Sequence, residues 1–311
     1  MVIFCVILGP DVIRVLLIGC GDVALRVALL LRGRVRLYGL TRRVADGPKL
    51  RAHGILPLEG DLDDYTTLGR LRTAPFGVLH FAPPPADGRD DPRMQKLIAA
   101  LAGARIIPQR FVYISTSGVY GDCAGARVPE THARRVQTPR ARRRVAAENR
   151  LRAWARRCGV QLAILRAPGI YAETRLPLER IRQGTPVLVD DDDVYTNHIH
   201  ADDLARATVA ALFHGLPNRA YNVTDDAQWK MGGWFDAVAD AFHLPRPPRV
   251  TWDEAEQRIA PMLLSFMSES RRLTNDRMKR ELRVRLRHSS PEAMLEKIAP
   301  RNLKKQLALP L

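Results

Sequence analysis

Residues 19–24 read Gly-Cys-Gly-Asp-Val-Ala, a spacing suited to holding an anion on bare backbone. Gly19 permits a sharp turn, Gly21 lets backbone approach a pyrophosphate, and the small Ala24 allows a helix to pack closely on the strand before it. Cys20, Asp22 and Val23 complete the loop. A phosphate there would meet the free N–H groups and the positive dipole end of a helix N-terminus. About twenty residues on, an acid would hold the ribose 2′-hydroxyl of NAD, whereas arginine would accommodate the 2′-phosphate of NADP. The chain reads Gly39-Leu40-Thr41-Arg42-Arg43, with no acid. NADP is therefore expected rather than NAD, with Arg42 or Arg43, beside Thr41, as the clamp, because a guanidinium fork matches phosphate geometry. The bland alternative is that both arginines are merely solvated.

These residues need a strand, a tight turn, a helix and a second strand to position them. The apolar run 12–18, the helical spacing of Val23, Val27, Leu30 and Leu31, and the apolar run 35–39 supply that order. Further strands are expected at 54–58, 76–82, 110–114, 160–165 and 220–223, and helices at 91–101, 139–158 and 202–213. Pro83-Pro84-Pro85 stops the fourth strand. Asp202 or Asp203 is placed to cap the helix that follows it. Strands alternating with helices predict an α/β fold, a Rossmann-like doubly wound parallel sheet with right-handed crossovers. Ligands in such sheets bind beyond the carboxyl ends of the strands, which nominates 19–24, 41–43, Asp61, Ala82 and Pro83, Ser115 to Ser117, and 168–171. Helices near 233–242, 261–268, 276–282 and 291–298 follow, and the last ten residues are expected to trail off at the surface.

A chain of 311 residues, 46% hydrophobic, can bury a large core. The expected organisation is an N-terminal extension (1–11), which is an extra strand or lies upstream of the true start, and a nucleotide-binding domain (12–170) completed by segments within 195–225. The remainder (171–311) forms a smaller C-terminal substrate-binding or lid region. A net charge of +16 ordinarily points to nucleic acid or a membrane surface. Here 42 of the 49 basic residues are arginine, spread along the whole length, and no nucleic-acid-binding signature accompanies them. Four scattered cysteines form neither a disulfide framework nor a zinc motif, so a reducing cytoplasm is the expected compartment. The opening MVIFCVILGP is too short for a membrane span and lacks a cleavage site.

Taken in order, GCGDVA, GDLDD, HFAPPP, YISTSGVYGD, LRAPGIYA and NHIHADDLA resemble the extended or atypical short-chain dehydrogenase/reductases, the group that includes nucleotide-sugar epimerases and dehydratases. The match runs from about residue 12 to 223. The resemblance implies that Asp61, with Leu62, contacts the adenine and that Ala82 and Pro83 lie along the cofactor. It also places Pro168, Gly169, Ile170 and Tyr171 along the nicotinamide, and Thr116 as the hydroxyl that holds the reacting oxygen. Ser115, at a strand end, is the further cofactor candidate, and Ser117, Tyr171, Asn197 and His198 are the substrate candidates, the last two edging the pocket. Downstream such proteins carry a tyrosine that handles the proton and, four residues later, a lysine. Aligned on Pro139 and Glu148, these positions are Arg140 and Arg144. An arginine stays protonated, so Arg140 could steady an oxyanion but not shuttle a proton.

Two readings follow. In the first, an NADP-dependent oxidoreductase or epimerase acts on a small alcohol or carbonyl compound, free or nucleotide-linked, with Tyr120 as proton donor and Tyr171 as second candidate. In the second, the chain binds NADP without turnover, as a redox sensor or scaffold. Nucleic-acid binding through residues 134–144 is a distant third, since no aromatics interleave for stacking. Expected partners are a small-molecule substrate and at most a second copy in a homodimer, with no membrane. His198-Ile199-His200 with Asp202 and Asp203 offers no third ligand cluster, so no metal is expected.

Overall fold

Continuous apolar runs, rather than alternating ones, mark strands covered on both faces. A computed structural model of the chain describes residues 13–72, 75–104 and 106–306. The N-terminal extension, residue 12 of the first run, and 307–311 of the last ten residues lie outside the described residues; 301–306 continue a helix, Glu292–Gln306, rather than trailing off. Seven strands form one sheet: β1 (Arg14–Ile18), β2 (Arg36–Thr41), β3 (Ile55–Glu59), β4 (Gly77–His80), β5 (Arg110–Thr116), β6 (Gln161–Ala167) and β7 (Arg219–Asn222). Their order is β7-β6-β5-β4-β1-β2-β3, every neighbour parallel. This is the doubly wound arrangement expected, with its crevice where the order reverses between β1 and β4.

Alternate residues of β1 feed two cores. Val15 and Leu17 pack with helices α1 (Asp22–Leu31) and Ala201–His214 on one face. Leu16 and Ile18 pack with Pro92–Ala102 and the long helix α2 (Pro139–Cys158) on the other. α2 buries Ala147, Leu151, Trp154 and Ala155, a stripe at helical spacing, and Trp154 meets Phe111 of β5 edge to face at 5.9 Å. Pro139 at its first turn, with Thr138 accepting from the Ala141 N–H, starts it, and Gly159 in a left-handed conformation (φ 68°) ends it.

The later chain adds a third apolar cluster, including Tyr171, Ile181, Val187, Trp234, Phe235 and Val238. It also adds short parallel pairs that the sequence reading passed over, such as Gly169–Tyr171 with His198–His200, and a helix Trp252–Arg258 opened by a Thr251/Glu254 capping box. One expected cap is corrected. His200, not Asp202 or Asp203, caps the helix Ala201–His214, its Nδ1 accepting from the Asp202 N–H. Asp203 instead accepts from the backbone N–H groups of Arg287 and His288, so it ties the C-terminal segment down.

What fixes α2 against the sheet is an ion pair. Arg166 of β6 donates from Nε (3.1 Å) and Nη2 (2.8 Å) to the two carboxylate oxygens of Glu148, both residues buried. Ser115 of β5 and Arg134 also donate to that carboxylate, at 2.7 and 3.3 Å. Burial alone would raise the Glu148 carboxyl, but hydrogen bonds from Arg166 and its charge outweigh burial and hold it below the usual carboxylate range. A carboxyl lowered in the folded state stabilises the fold fully above the ordinary carboxylate range, and that contribution is lost as pH falls through the folded value. Glu148→Ala should therefore lower unfolding free energy in urea by about 3–5 kcal/mol at neutral pH, since it strands a buried guanidinium. The gap to the parent should narrow on acidification. An unchanged midpoint would show that the pair does not hold α2.

Candidate active site

The turn after β1 builds an open cradle. Gly19 has φ +87°, and a Cβ there would lie 2.6 Å from the Ala82 nitrogen, so no side chain fits between the two strand ends. A Cβ on Gly21 would meet nothing within 4 Å, which leaves room for a ligand. Gly21 is the N-cap of α1 with no side-chain cap, so the N–H groups of the first turn face outward uncompensated. Cys20 turns its sulfur inward under Gly39, where burial pushes the thiol up to about 12, and it offers the ligand backbone only.

Above this turn lies a cavity of about 650 Å³. It is lined by nearly all the residues expected to hold a cofactor: Gly19 to Ala24, Thr41, Arg42, Arg43, Asp61, Leu62, Ala82, Pro83 and Ile170. The uncapped helix end, the bare glycine turn and the basic rim fit a nicotinamide dinucleotide. The structure adds four rim residues that no local pattern marked: Asp46, Lys49, Arg93 and Arg175. Arg43 is forked onto Asp46 at 3.0 and 2.9 Å, and Arg93 onto Asp63 at 2.8 and 2.6 Å. Hydrogen bonding from Arg43 holds the Asp46 carboxyl below its usual range. Arg42 and Lys49 enter no ion pair among the described residues.

A second cavity of about 440 Å³ adjoins the first. Pro83 lines both, and Gly169 of the second is bonded to Ile170 of the first. Here the structure gathers Thr116, Ser117, Arg140, Arg144 and Asn197 with Pro168 and Gly169, two residues expected along the cofactor that line this cavity and not the first. The Thr116 hydroxyl accepts from the Gly118 N–H at 3.3 Å. Arg144 donates to the Ile114 carbonyl and the Tyr113 hydroxyl at 2.9 and 3.1 Å, while the Arg140 guanidinium stacks 3.7 Å over the Phe266 ring. Arg143, Tyr195, Met231, Glu269 and Arg271 complete the wall. Glu269 is buried, with Oε2 accepting from Arg271 at 2.9 Å and Oε1 without a partner. A Cβ on Gly118 would lie 3.7 Å from the Thr116 hydroxyl oxygen and 3.9 Å from Glu269 Oε2, so both groups reach the neighbourhood of Gly118.

Four expected site residues stand elsewhere. Ser115 spends its hydroxyl on Glu148. Tyr120 is fully buried; its hydroxyl donates to Asn222 at 2.7 Å and accepts from Arg166 at 2.9 Å, so it lines neither cavity and is not placed as a proton donor. Tyr171 is buried among His198, His200 and Trp234, and its phenol is pushed well up by burial. His198 packs 4.7 Å from Trp234 beneath Gly169, and burial lowers it to about 4. His288 joins His200 and Asp202, all within 4.8 Å, a grouping that sequence spacing could not show. His200 Nδ1 accepts the Asp202 backbone N–H at 3.2 Å as the helix cap, and its Nε2 is buried without a hydrogen-bond partner.

No helix among the described residues is long and apolar enough to cross a membrane. Among solved structures the chain is similar to a conserved protein of unknown function from Silicibacter pomeroyi, with 30% identity, 93% of this chain and 98% of that one covered, and a TM-score of 0.75. It shares its fold with UDP-glucuronic acid 4-epimerase from Bacillus cereus in complex with NAD (17% identity, 96% and 100% covered, TM-score 0.73). The UDP-glucose 4-epimerase of Thermus thermophilus, also in complex with NAD, matches likewise (22% identity, 94% and 99% covered, TM-score 0.71). No curated protein matches the chain significantly. The family model of the NAD dependent epimerase/dehydratase family matches residues 24–224, and the chain belongs to that family.

Proposed function

We propose that the chain is an NADP-dependent oxidoreductase or epimerase-type enzyme acting on a small alcohol or carbonyl compound, nucleotide-linked if it follows the UDP-sugar enzymes that share its fold. The observation that carries this reading is the adjoining pair of cavities, one lined by the glycine turn and the other by Thr116, meeting at Pro83 and at the Gly169–Ile170 bond. A nicotinamide dinucleotide held by Gly19 to Ala24, Thr41 and Asp61 would supply hydride chemistry at the carbon that bears the reacting oxygen. Thr116 hydrogen-bonds that oxygen. The proton role, which neither Arg140 nor the buried Tyr120 can fill, falls to Glu269: its carboxylate takes the hydroxyl proton as the alcohol becomes a carbonyl and returns it in reverse. Residues 171–311 supply the other wall of the substrate cavity through Tyr195, Met231, Phe266, Glu269 and Arg271.

The choice of NADP rests on Arg42 and Lys49, basic groups on the rim that form no ion pair among the described residues, whereas Arg43 and Arg93 are forked onto Asp46 and Asp63. Asp46 favours the second reading, NAD, because it is an acid near the end of β2 that could accept from a ribose hydroxyl. A fluorescence titration with each reduced cofactor separates them. Arg42→Ala should weaken NADPH binding by about tenfold or more and leave NADH nearly unchanged; equal losses would transfer the assignment to NAD and Asp46. With a substrate in hand, Glu269→Gln should lower kcat by about 100-fold at unchanged NADPH affinity. An unaffected rate would remove Glu269 from proton transfer.

A further inference from the structure

The second cavity concentrates like charge where a folded protein ordinarily avoids it. Arg140, Arg143, Arg144 and Arg271 all line it, and Glu269 is the one carboxylate among the described lining residues. Glu269 is already paired with Arg271 at 2.9 Å, and Arg140, Arg143 and Arg144 form no ion pair among the described residues: Arg143 donates to the Gly88 carbonyl at 2.8 Å and Arg144 to the Ile114 carbonyl at 2.9 Å. Arg143 and Arg271 are 7% and 8% exposed, and each carries a buried Nε with no partner. Burial and then the charges of Arg271, Arg144 and Arg143 press the Arg140 guanidinium downward, with only Glu269 acting in the other direction. Arg143 and Arg271 are buried and Arg140 and Arg144 half-buried, so water screens their charges less than it would at an exposed surface.

We infer that this cavity is the site of a dianionic group, a phosphate or a dicarboxylate, carried by the substrate next to its reacting carbon, with Arg140 as the principal fork and Arg143 and Arg144 flanking it. Guanidinium forks match the oxygens of both groups, and a half-enclosed wall strengthens each charge-assisted bond. The phosphates of the dinucleotide do not occupy this place, because they belong at the glycine turn in the first cavity. The inference rests on the reading of the pair of cavities as cofactor and substrate sites, and it narrows the substrate: an uncharged sugar or simple alcohol would leave the arginines uncompensated.

The test is isothermal titration of the full chain, saturated with NADPH so that the basic rim of the first cavity is filled, at low ionic strength. Inorganic phosphate, pyrophosphate, malonate and succinate serve as probes, and the ranking of the two phosphates against the two dicarboxylates identifies the group. Binding is expected to weaken with added salt and to fall by about tenfold or more in Arg140→Gln, with partial retention in Arg140→Lys and no change in NADPH affinity. Failure of the parent chain to bind any of the four probes, or equal binding by Arg140→Gln, would overturn the inference. If NADPH itself does not bind while Arg140→Gln still abolishes probe binding, the cofactor reading falls and the anion site stands.

Discussion

A carboxylate without water must be matched bond for bond, and Glu148 imposes that constraint on most of the site. It is fully buried and takes hydrogen bonds from Ser115 on β5, Arg166 on β6 and Arg134 in the preceding loop. Arg166 passes the constraint on through the Tyr120 hydroxyl to Asn222 at the end of β7, whose amide reaches the carbonyls of Val128 and Thr274. One chain of charge-assisted and neutral bonds thus ties the carboxyl ends of three strands to α2 and to the C-terminal segment. An apolar substitute for the whole pair could be as stable, so what the pair contributes here is register.

That register reaches the chemistry through the pitch of α2. Arg140, Arg144 and Glu148 lie four residues apart along one face, so anchoring Glu148 to the sheet aims the two arginines at the space beside Thr116. Thr116 follows Ser115 directly, and the Ser115 bond to Glu148 fixes which way the strand end presents its next side chain. The helix positions that the resemblance assigns to a proton donor and its cationic neighbour carry two fixed cations, Arg140 and Arg144, neither of which can give up a proton. A carboxylate from a distant segment, Glu269, lines the same cavity.

The sheet was legible because its signals are local: apolar runs of strand length, proline stops, and glycine where a turn must pass under Ala82. The cofactor cavity followed, since strand ends in a parallel sheet converge by topology. What escaped detection was whatever arrives from elsewhere in the chain. Arg175, Phe266, Glu269 and Arg271 come from segments far from the glycine turn, the last two held by the Ser270 N–H on Asp122 and by Asn197 on the Arg271 carbonyl, and in a chain with 42 arginines nothing marked the relevant ones. Tyr120 was misplaced for a definite reason. The short 3₁₀ turn Ser117–Tyr120 carries the chain back over the sheet, so a residue four past Thr116 points into the core rather than the cleft.

Composition and placement of charge also carry different information. A diffuse arginine bias predicts that arginines pair with whatever acid is near, and along the surface they do: Arg26 with Asp22 and Asp202, Arg150 with Asp90, Arg219 with Glu281, Arg246 with Asp240. Around the first cavity the same rule holds for Arg43 and Arg93. It fails at the second cavity, where four arginines share one carboxylate. A concave wall of low polarisability focuses the field of such a group into the space it encloses, so the excess acts on the ligand rather than on bulk water. The net charge of the chain says little about its partner, whereas the charge placed on this one wall bears on what the cavity can hold.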